Sequence, residues 1–153
     1  MKSAIAVSAL MVTLGWGTAV VPAQDREAIV KDRLATMKAM SATISGIKKY
    51  LDGKTDQVPA KNAEDIVKAA LSLPEKFPNG TGMEAFPDKS AAKSVIWTDW
   101  ERFLAVQDNL VAQAQKLEAA VKTGDKKAVA DEYAATIDKG CGACHETYRE
   151  NQG

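Results

Sequence analysis

The sequence predicts an all-α protein, folded as an antiparallel four-helix bundle. Four segments carry apolar residues at spacings of three and four, which places those residues on one face of a helix. Glycine, proline and aspartate separate the segments, and no run alternates between apolar and polar residues as a half-buried strand does. Amphipathic helices bury their apolar faces against one another, so four of them favour a bundle.

The first two helices are predicted at residues 25–51 and 62–73. The first ends at Asp52-Gly53, and the second ends at Pro74, because proline has no N–H and cannot continue a helix. The inward residues of the first are Val30, Arg33, Met37, Met40, Ile44, Ile47 and Leu51, and those of the second are Ile66, Ala69, Ala70 and Leu73.

The proline- and glycine-rich stretch 74–89 is predicted to be a loop. Its large apolar residues, Phe77, Met83 and Phe86, indicate that it packs onto the edge of a cofactor or onto the end of the bundle core.

The third and fourth helices are predicted at residues 90–122 and from Asp125 through Tyr148. Thr123-Gly124 closes the third, and Asp125 is a typical N-cap for the fourth. The inward residues of the third are Trp97, Trp100, Phe103, Leu104, Leu110, Val111, Leu117 and Val121; those of the fourth are Val129, Tyr133, Ile137, Cys141, Cys144 and Tyr148.

Residues 1–23 are predicted to be a cleaved signal peptide. Lys2 precedes an apolar stretch, and Val21-Pro22-Ala23 supplies small residues before a cut ahead of Gln24. The stretch is too short for stable membrane insertion. Residues 24–153 then form one domain, in which the loss of Lys2 lowers the 20 basic residues to 19 against 20 acidic ones. Such a near-neutral chain gives no support for nucleic acid as a partner.

The most informative motif is Cys141-Gly142-Ala143-Cys144-His145, which holds the only histidine and the only two cysteines of the chain. C-x-x-C-H is the attachment motif of haem c, in which two thioethers hold the porphyrin and the imidazole binds the iron. A closed zinc site needs four Cys or His ligands, and the chain offers three. A thiol oxidoreductase stays a distant alternative, because such a C-x-x-C pair normally follows a strand.

On a helix, the two sulfurs and the imidazole of this motif share one side, so His145 is predicted to be the proximal ligand of one covalent haem. A second histidine ligand from the same chain is excluded by count. The sixth position is therefore left to a Met, a weaker ligand, water or nothing. The sequence holds no nucleophile–base pair, carboxylate pair or phosphate-binding loop, so we predict that the protein is not an enzyme.

Four further residues are candidates for the site. Arg33 on the apolar stripe needs an anionic partner, which a haem propionate would supply, unless its head reaches water. Met37, one turn later, either binds the iron or blocks it, and Met40 is a possible substitute. Tyr148 and Arg149 follow His145 by three and four residues and so approach the proximal face, although Arg149 fits equally well as a solvated charge at a helix end.

The sequence resembles the cytochrome c′ family, the class II c-type cytochromes, which include related low-spin, methionine-ligated members. The resemblance covers nearly all of residues 24–153. It rests on the run Val30-Lys31-Asp32-Arg33-Leu34-Ala35-Thr36-Met37, on Leu73-Pro74, on Ile96-Trp97 and on the run from Cys141 to Arg149. A C-x-x-C-H close to the carboxyl end separates this family from other c-type cytochromes.

The resemblance implies a periplasmic bundle with one covalent haem c, a possible homodimer and redox partner proteins. It implies that Arg33 binds a propionate, that Met37 is the distal residue, and that Arg149 is a proximal basic residue connected with nitric oxide binding. We therefore expect a periplasmic carrier of single electrons. The alternative is a five-coordinate haem protein that binds nitric oxide or carbon monoxide.

Overall fold

The structure is a computed structural model that describes residues 23–151. Most of these residues lie in helices, which form four helical columns, each made of one helix or of consecutive helices. The helices in chain order are α1 (Ala23–Leu51), α2 (Ala60–Ser72), α3 (Val95–Thr98), α4 (Trp100–Thr123), α5 (Lys126–Ala135) and α6 (Ala143–Tyr148). A π-helical segment, Thr136–Gly142, joins α5 to α6 and makes them one column. The predicted signal peptide lies outside the described residues except for Ala23, and it stays a prediction.

The predicted bundle is confirmed. α2 packs against α1 and α4, while α4 also packs against α5, the π segment and α6. The stripe predicted for α1 faces inward. The least exposed large apolar side chains come from α1 to α5 and from the residue that follows α2: Phe103, Ile47, Ile66, Leu73, Ile96, Leu117, Val30, Val121 and Val129. Within residues 23–151, no helix combines the length and the apolar character that crossing a membrane requires.

The turn between the last two columns forms as the sequence predicts. Gly124 ends α4 with φ 73°, a left-handed conformation that glycine adopts without a steric penalty. Asp125 then caps α5, because its Oδ1 accepts hydrogen bonds from the backbone N–H groups of Lys127 at 2.8 Å and Ala128 at 3.3 Å.

The predicted start of the third helix at Ser90 is wrong. Residues 91–93 pair with residues 148–150 instead, as the Lys93 N–H donates to the Tyr148 carbonyl at 3.0 Å and the Glu150 N–H donates to the Ala91 carbonyl at 2.7 Å. Because backbone groups of residues 91–93 form hydrogen bonds with residues 148–150, these groups are not available for helical hydrogen bonds. A break at Asp99, with φ −135°, then separates α3 from α4.

The predicted continuous fourth helix is also wrong, because residues 136–142 are π-helical. A π turn holds more residues than an α turn and so rotates the residues that follow it. Thr136 and Gly140 are buried, whereas Ile137, predicted to face inward, is 38% exposed. Gly140 lies so close to α4 that a Cβ on it would stand 2.9 Å from Leu110 Cδ1.

Candidate functional site

A cavity of about 620 Å³ lies between α1 and α6. Its volume is in the range of small-molecule and cofactor sites. Its walls are mainly apolar, and they come from four distant parts of the chain. The lining residues are Lys31, Arg33, Leu34, Ala35, Met37, Lys38, Ser41, Phe77, Ala91, Ala92, Ile96, Phe103, Cys144, His145, Tyr148 and Arg149.

The C-x-x-C-H motif is divided between two kinds of helix. Cys144 and His145 lie in α6 and line the cavity, while Cys141 lies one turn earlier, in the π segment, and is half-buried. Burial raises the pKa of the Cys141 thiol, and it raises the pKa of the Cys144 thiol to about 11. Redox-active cysteines have a lowered pKa, because the thiolate is the reactive form. The thiol oxidoreductase alternative therefore loses support.

His145 is the one imidazole available at the cavity. Partial desolvation and then the nearby charge of Arg149 lower its pKa, which favours the neutral ring with a nitrogen free for a metal, although the residue as a whole is exposed. Within residues 23–151, no three His, Cys, Asp or Glu side chains are grouped so as to hold a metal ion. An iron that a porphyrin carries needs only one such protein ligand, so the residues present fit a haem.

Met37 is the methionine at this site. It is half-buried on the α1 wall of the cavity, beside Leu34, which is 45% exposed. Met40 lies among the core residues and is not one of the lining residues, so it does not substitute for Met37 in this arrangement. The sequence reasoning missed Leu34, because this residue lies off the apolar stripe of α1. An isolated leucine on the polar side of a helix was the available signal.

Arg33 is buried, with 4% of its surface exposed, so its head does not reach water. Its Nη1 donates to the Lys76 carbonyl at 3.1 Å and to Thr81 Oγ1 at 3.0 Å. Its Nη2 donates to the Thr81 carbonyl at 2.7 Å and to Ser90 Oγ at 2.8 Å. A guanidinium has five N–H groups, so only the Nε–H is left. Burial lowers the pKa of Arg33 to about 10.

These hydrogen bonds connect the loop to α1 through the side chain of Arg33. The loop also packs onto the site, because Phe77 lines the cavity, lies under the Arg33 guanidinium at 4.6 Å from its ring centre, and meets the Phe103 ring edge-on at 5.0 Å. Trp97 Nε1 donates to the Phe77 carbonyl at 2.9 Å and holds that backbone in place. Through Phe77, the loop therefore lines the cavity and packs against the core at Phe103.

Three of the residues that line the cavity are exposed cations. Lys31, Lys38 and Arg149 are exposed and line it, and no Asp or Glu of the described residues does. Tyr148 is buried beside them, with its ring edge-on to Phe103 at 5.2 Å. An apolar interior with a cationic rim fits a haem, which combines an apolar macrocycle with two carboxylates. The sequence pattern did not single out Lys31 and Lys38, because they resemble any solvated lysine of a helix.

Comparisons with known proteins agree with this geometry. The family model described as Cytochrome C' matches residues 28–149. The chain is 35% identical over 119 residues to a cytochrome c′ of Pararhodospirillum photometricum, covering 74% of this chain and 84% of that one. It is 28% identical to a cytochrome c-556 of Rhodopseudomonas palustris, covering 100% and 99%. The crystal structure of cytochrome c′ from Thermochromatium tepidum superposes with a TM-score of 0.74 at 28% identity, covering 82% and 97%.

Proposed function

Because the chain belongs to the cytochrome c′ family and its cofactor is one covalent haem c, we propose that it is a periplasmic cytochrome that carries single electrons. The haem supplies the redox chemistry, since its iron is stable in both the ferrous and the ferric state. The observation that carries the proposal is the cavity that brings His145 and Cys144 of α6 together with Met37 of α1.

We assign the attachment of the haem to the last column. Cys141 and Cys144 provide the two thioether sulfurs, and His145 provides the proximal nitrogen. Three neighbouring residues support the assignment. The backbone hydrogen bonds of Lys93 and Glu150 anchor the end of α6. The charge of Arg149 lowers the pKa of His145 and so favours the neutral imidazole. A proximal ligand on an anchored helix keeps its position when the charge of the iron changes, which favours rapid electron transfer.

We assign Met37 as the sixth ligand. The side chain is half-buried on the wall formed by α1, and the cavity is lined by no other methionine of the described residues. With Met37 and His145 both bound to the iron, the thioether would raise the reduction potential and would leave no open position for a gas. If Met37 instead only blocks the iron, the protein is the five-coordinate alternative that binds nitric oxide or carbon monoxide.

The propionates are assigned to the cationic groups at the cavity. Arg33 contributes its charge and its one remaining Nε–H, and Lys31, Lys38 and Arg149 contribute exposed charges at the rim. Tyr148 closes the proximal side with its ring. Export by a cleaved signal peptide, redox partner proteins and a homodimer stay predictions from the sequence and the family resemblance.

The test of the function is the absorption spectrum of the oxidised and the reduced protein, for wild type and for Met37→Ala. We expect a low-spin wild-type haem with the weak near-infrared band of methionine ligation and little carbon monoxide binding, and a variant that binds carbon monoxide readily. Met83→Ala is the matched control, because Met83 is also half-buried but does not line the cavity. A high-spin wild type whose spectrum Met37→Ala leaves unchanged would contradict the assignment of Met37 and favour gas binding.

A further inference from the structure

α4 and α6 meet along a regular antiparallel seam. Phe103 faces Tyr148 with ring centres 5.2 Å apart, and four residues further along α4 Gln107 faces Cys144, which precedes Tyr148 by four. Residues four apart lie on the same side of a helix, so the two contacts lie one helical turn apart along the same interface. The first contact is aromatic. The other places a primary amide against a cysteine sulfur, with Gln107 Nε2 at 3.4 Å from Cys144 Sγ.

Gln107 is an unusual residue for a buried contact between two helices, because such positions are normally apolar. Its side chain is only 2% exposed, and its Oε1 is buried without a hydrogen-bond partner among the described residues. A buried acceptor without a partner is costly, and an apolar side chain of similar size would avoid that cost. Among residues 23–151, the side chain makes one hydrogen bond, and its acceptor is Cys144 Sγ.

The orientation of the amide suits a sulfur that carries no hydrogen. A free thiol can either donate to Oε1 or accept from Nε2, whereas a thioether sulfur can only accept. The amide nitrogen of Gln107 faces the sulfur, and the amide oxygen is the atom without a hydrogen-bond partner among the described residues. The arrangement thus fits Cys144 in its attached state.

We propose that Gln107 is a positioning residue of the haem site, which donates its amide N–H to the Cys144 thioether sulfur and thereby raises the reduction potential. The proposal rests on the proposed function, since it needs the haem attached. A donor on the sulfur draws electron density from it and away from the porphyrin edge, which favours the ferrous state. Hydrogen bonds from the surrounding protein adjust the potentials of metal centres in this way.

The test compares haem-loaded wild type, Gln107→Leu and Gln113→Leu by redox titration followed spectroscopically, by thermal unfolding, and by the pyridine adduct spectrum that counts thioethers. Gln113 is the matched control, because it is also a buried glutamine of α4, but its Nε2 donates to Asn109 Oδ1 at 3.3 Å and not to a cysteine. We expect Gln107→Leu to keep both thioethers and to lower the ferrous-to-ferric ratio at a fixed potential about threefold, which is about 28 mV for one electron. Gln113→Leu should leave that ratio unchanged.

Gln107→Met is the second variant, because methionine is flexible, close in size and lacks a donor, so it tests the proposal if the leucine variant does not fold. If the potentials of the Gln107 variants equal that of wild type while only their thermal midpoints move, Gln107 is merely a core residue and the proposal is overturned. A wild type that carries no haem would instead refute the proposed function. The two failures are therefore distinguishable.

Discussion

Arg33→Met is the substitution that tests most directly how the site is held together. It keeps a long, unbranched side chain on α1 but removes the donors to the carbonyl of Lys76, to Thr81 and to Ser90. Thr81 Oγ1 retains its hydrogen bond to the Pro78 carbonyl, and Ser90 Oγ retains its hydrogen bond to the Thr81 carbonyl. The loop also keeps the ion pairs Lys76–Asp32 and Lys89–Glu27 to α1, so the variant removes the buried part of the connection and leaves these two contacts.

The expected loss of unfolding free energy follows from two opposing contributions. Hydrogen bonds from a charged donor contribute about 1.5 kcal/mol each at the low end of their range, so the four bonds are worth about 6 kcal/mol if they are additive. That sum is an upper limit, because the four hydrogen bonds share one side chain and are not additive, and because burial, which lowers the pKa of Arg33 to about 10, works against the charge; we take about half of it. The net loss is therefore about 3 kcal/mol, or about 6–12 °C in Tm for a domain of this size.

The assay is urea and thermal unfolding of the haem-loaded protein, together with limited proteolysis of residues 74–94. Arg102→Met is the control, because Arg102 is an exposed arginine of α4, and we expect its effect to stay within about 0.5 kcal/mol. Cleavage in the loop should accelerate only for Arg33→Met. If the two variants unfold alike and are cleaved alike, the reasoning is refuted and the loop is held by other contacts.

Three further predictions follow from the described geometry. Asp125→Ala should cost about 1 kcal/mol in urea unfolding, because it removes the acceptor for two N–H groups of α5, and Asp125→Ser should recover most of the loss; equal stability of both variants would argue against the cap. Gly82→Ala should destabilise by about 1–3 kcal/mol, because its Cβ would stand 2.6 Å from the Trp97 ring, and an unchanged Tm would show that the ring yields. Intact mass of the exported protein should equal residues 24–153 plus one haem, and the mass of the bare polypeptide would contradict attachment.

Several features of the fold could be predicted because they depend on neighbours in the sequence. The inward face of α1 follows from residues spaced by three and four, and the end of α4 follows from Gly124 and Asp125. Burial of a helix face and satisfaction of the first N–H groups are local requirements, which one segment reveals by itself. The attachment motif was predictable for the same reason, since its three reactive residues lie within five positions.

The breaks in the helices could not be predicted, because they result from contacts between distant residues. Residues 91–93 leave the helical conformation to pair with residues 148–150, and nothing within either segment signals the pairing. The π segment likewise brings Gly140 against Leu110 of another helix. Propensity and periodicity are weak beside such tertiary contacts, so the sequence placed Ile137 on the wrong face.

The sequence by itself determined the class of the fold, the attachment motif and the candidates around it, because these depend on residue type and on spacing along one helix. Only the tertiary structure decided what each candidate touches. Arg33 proved to be bonded to three loop residues, and Gln107, unremarkable in the sequence, proved to be the neighbour of Cys144. The hydrogen-bond partners of a buried polar group come from the segments that the packing of the core brings together. That packing depends on contacts throughout the chain, so no single segment reveals the partners.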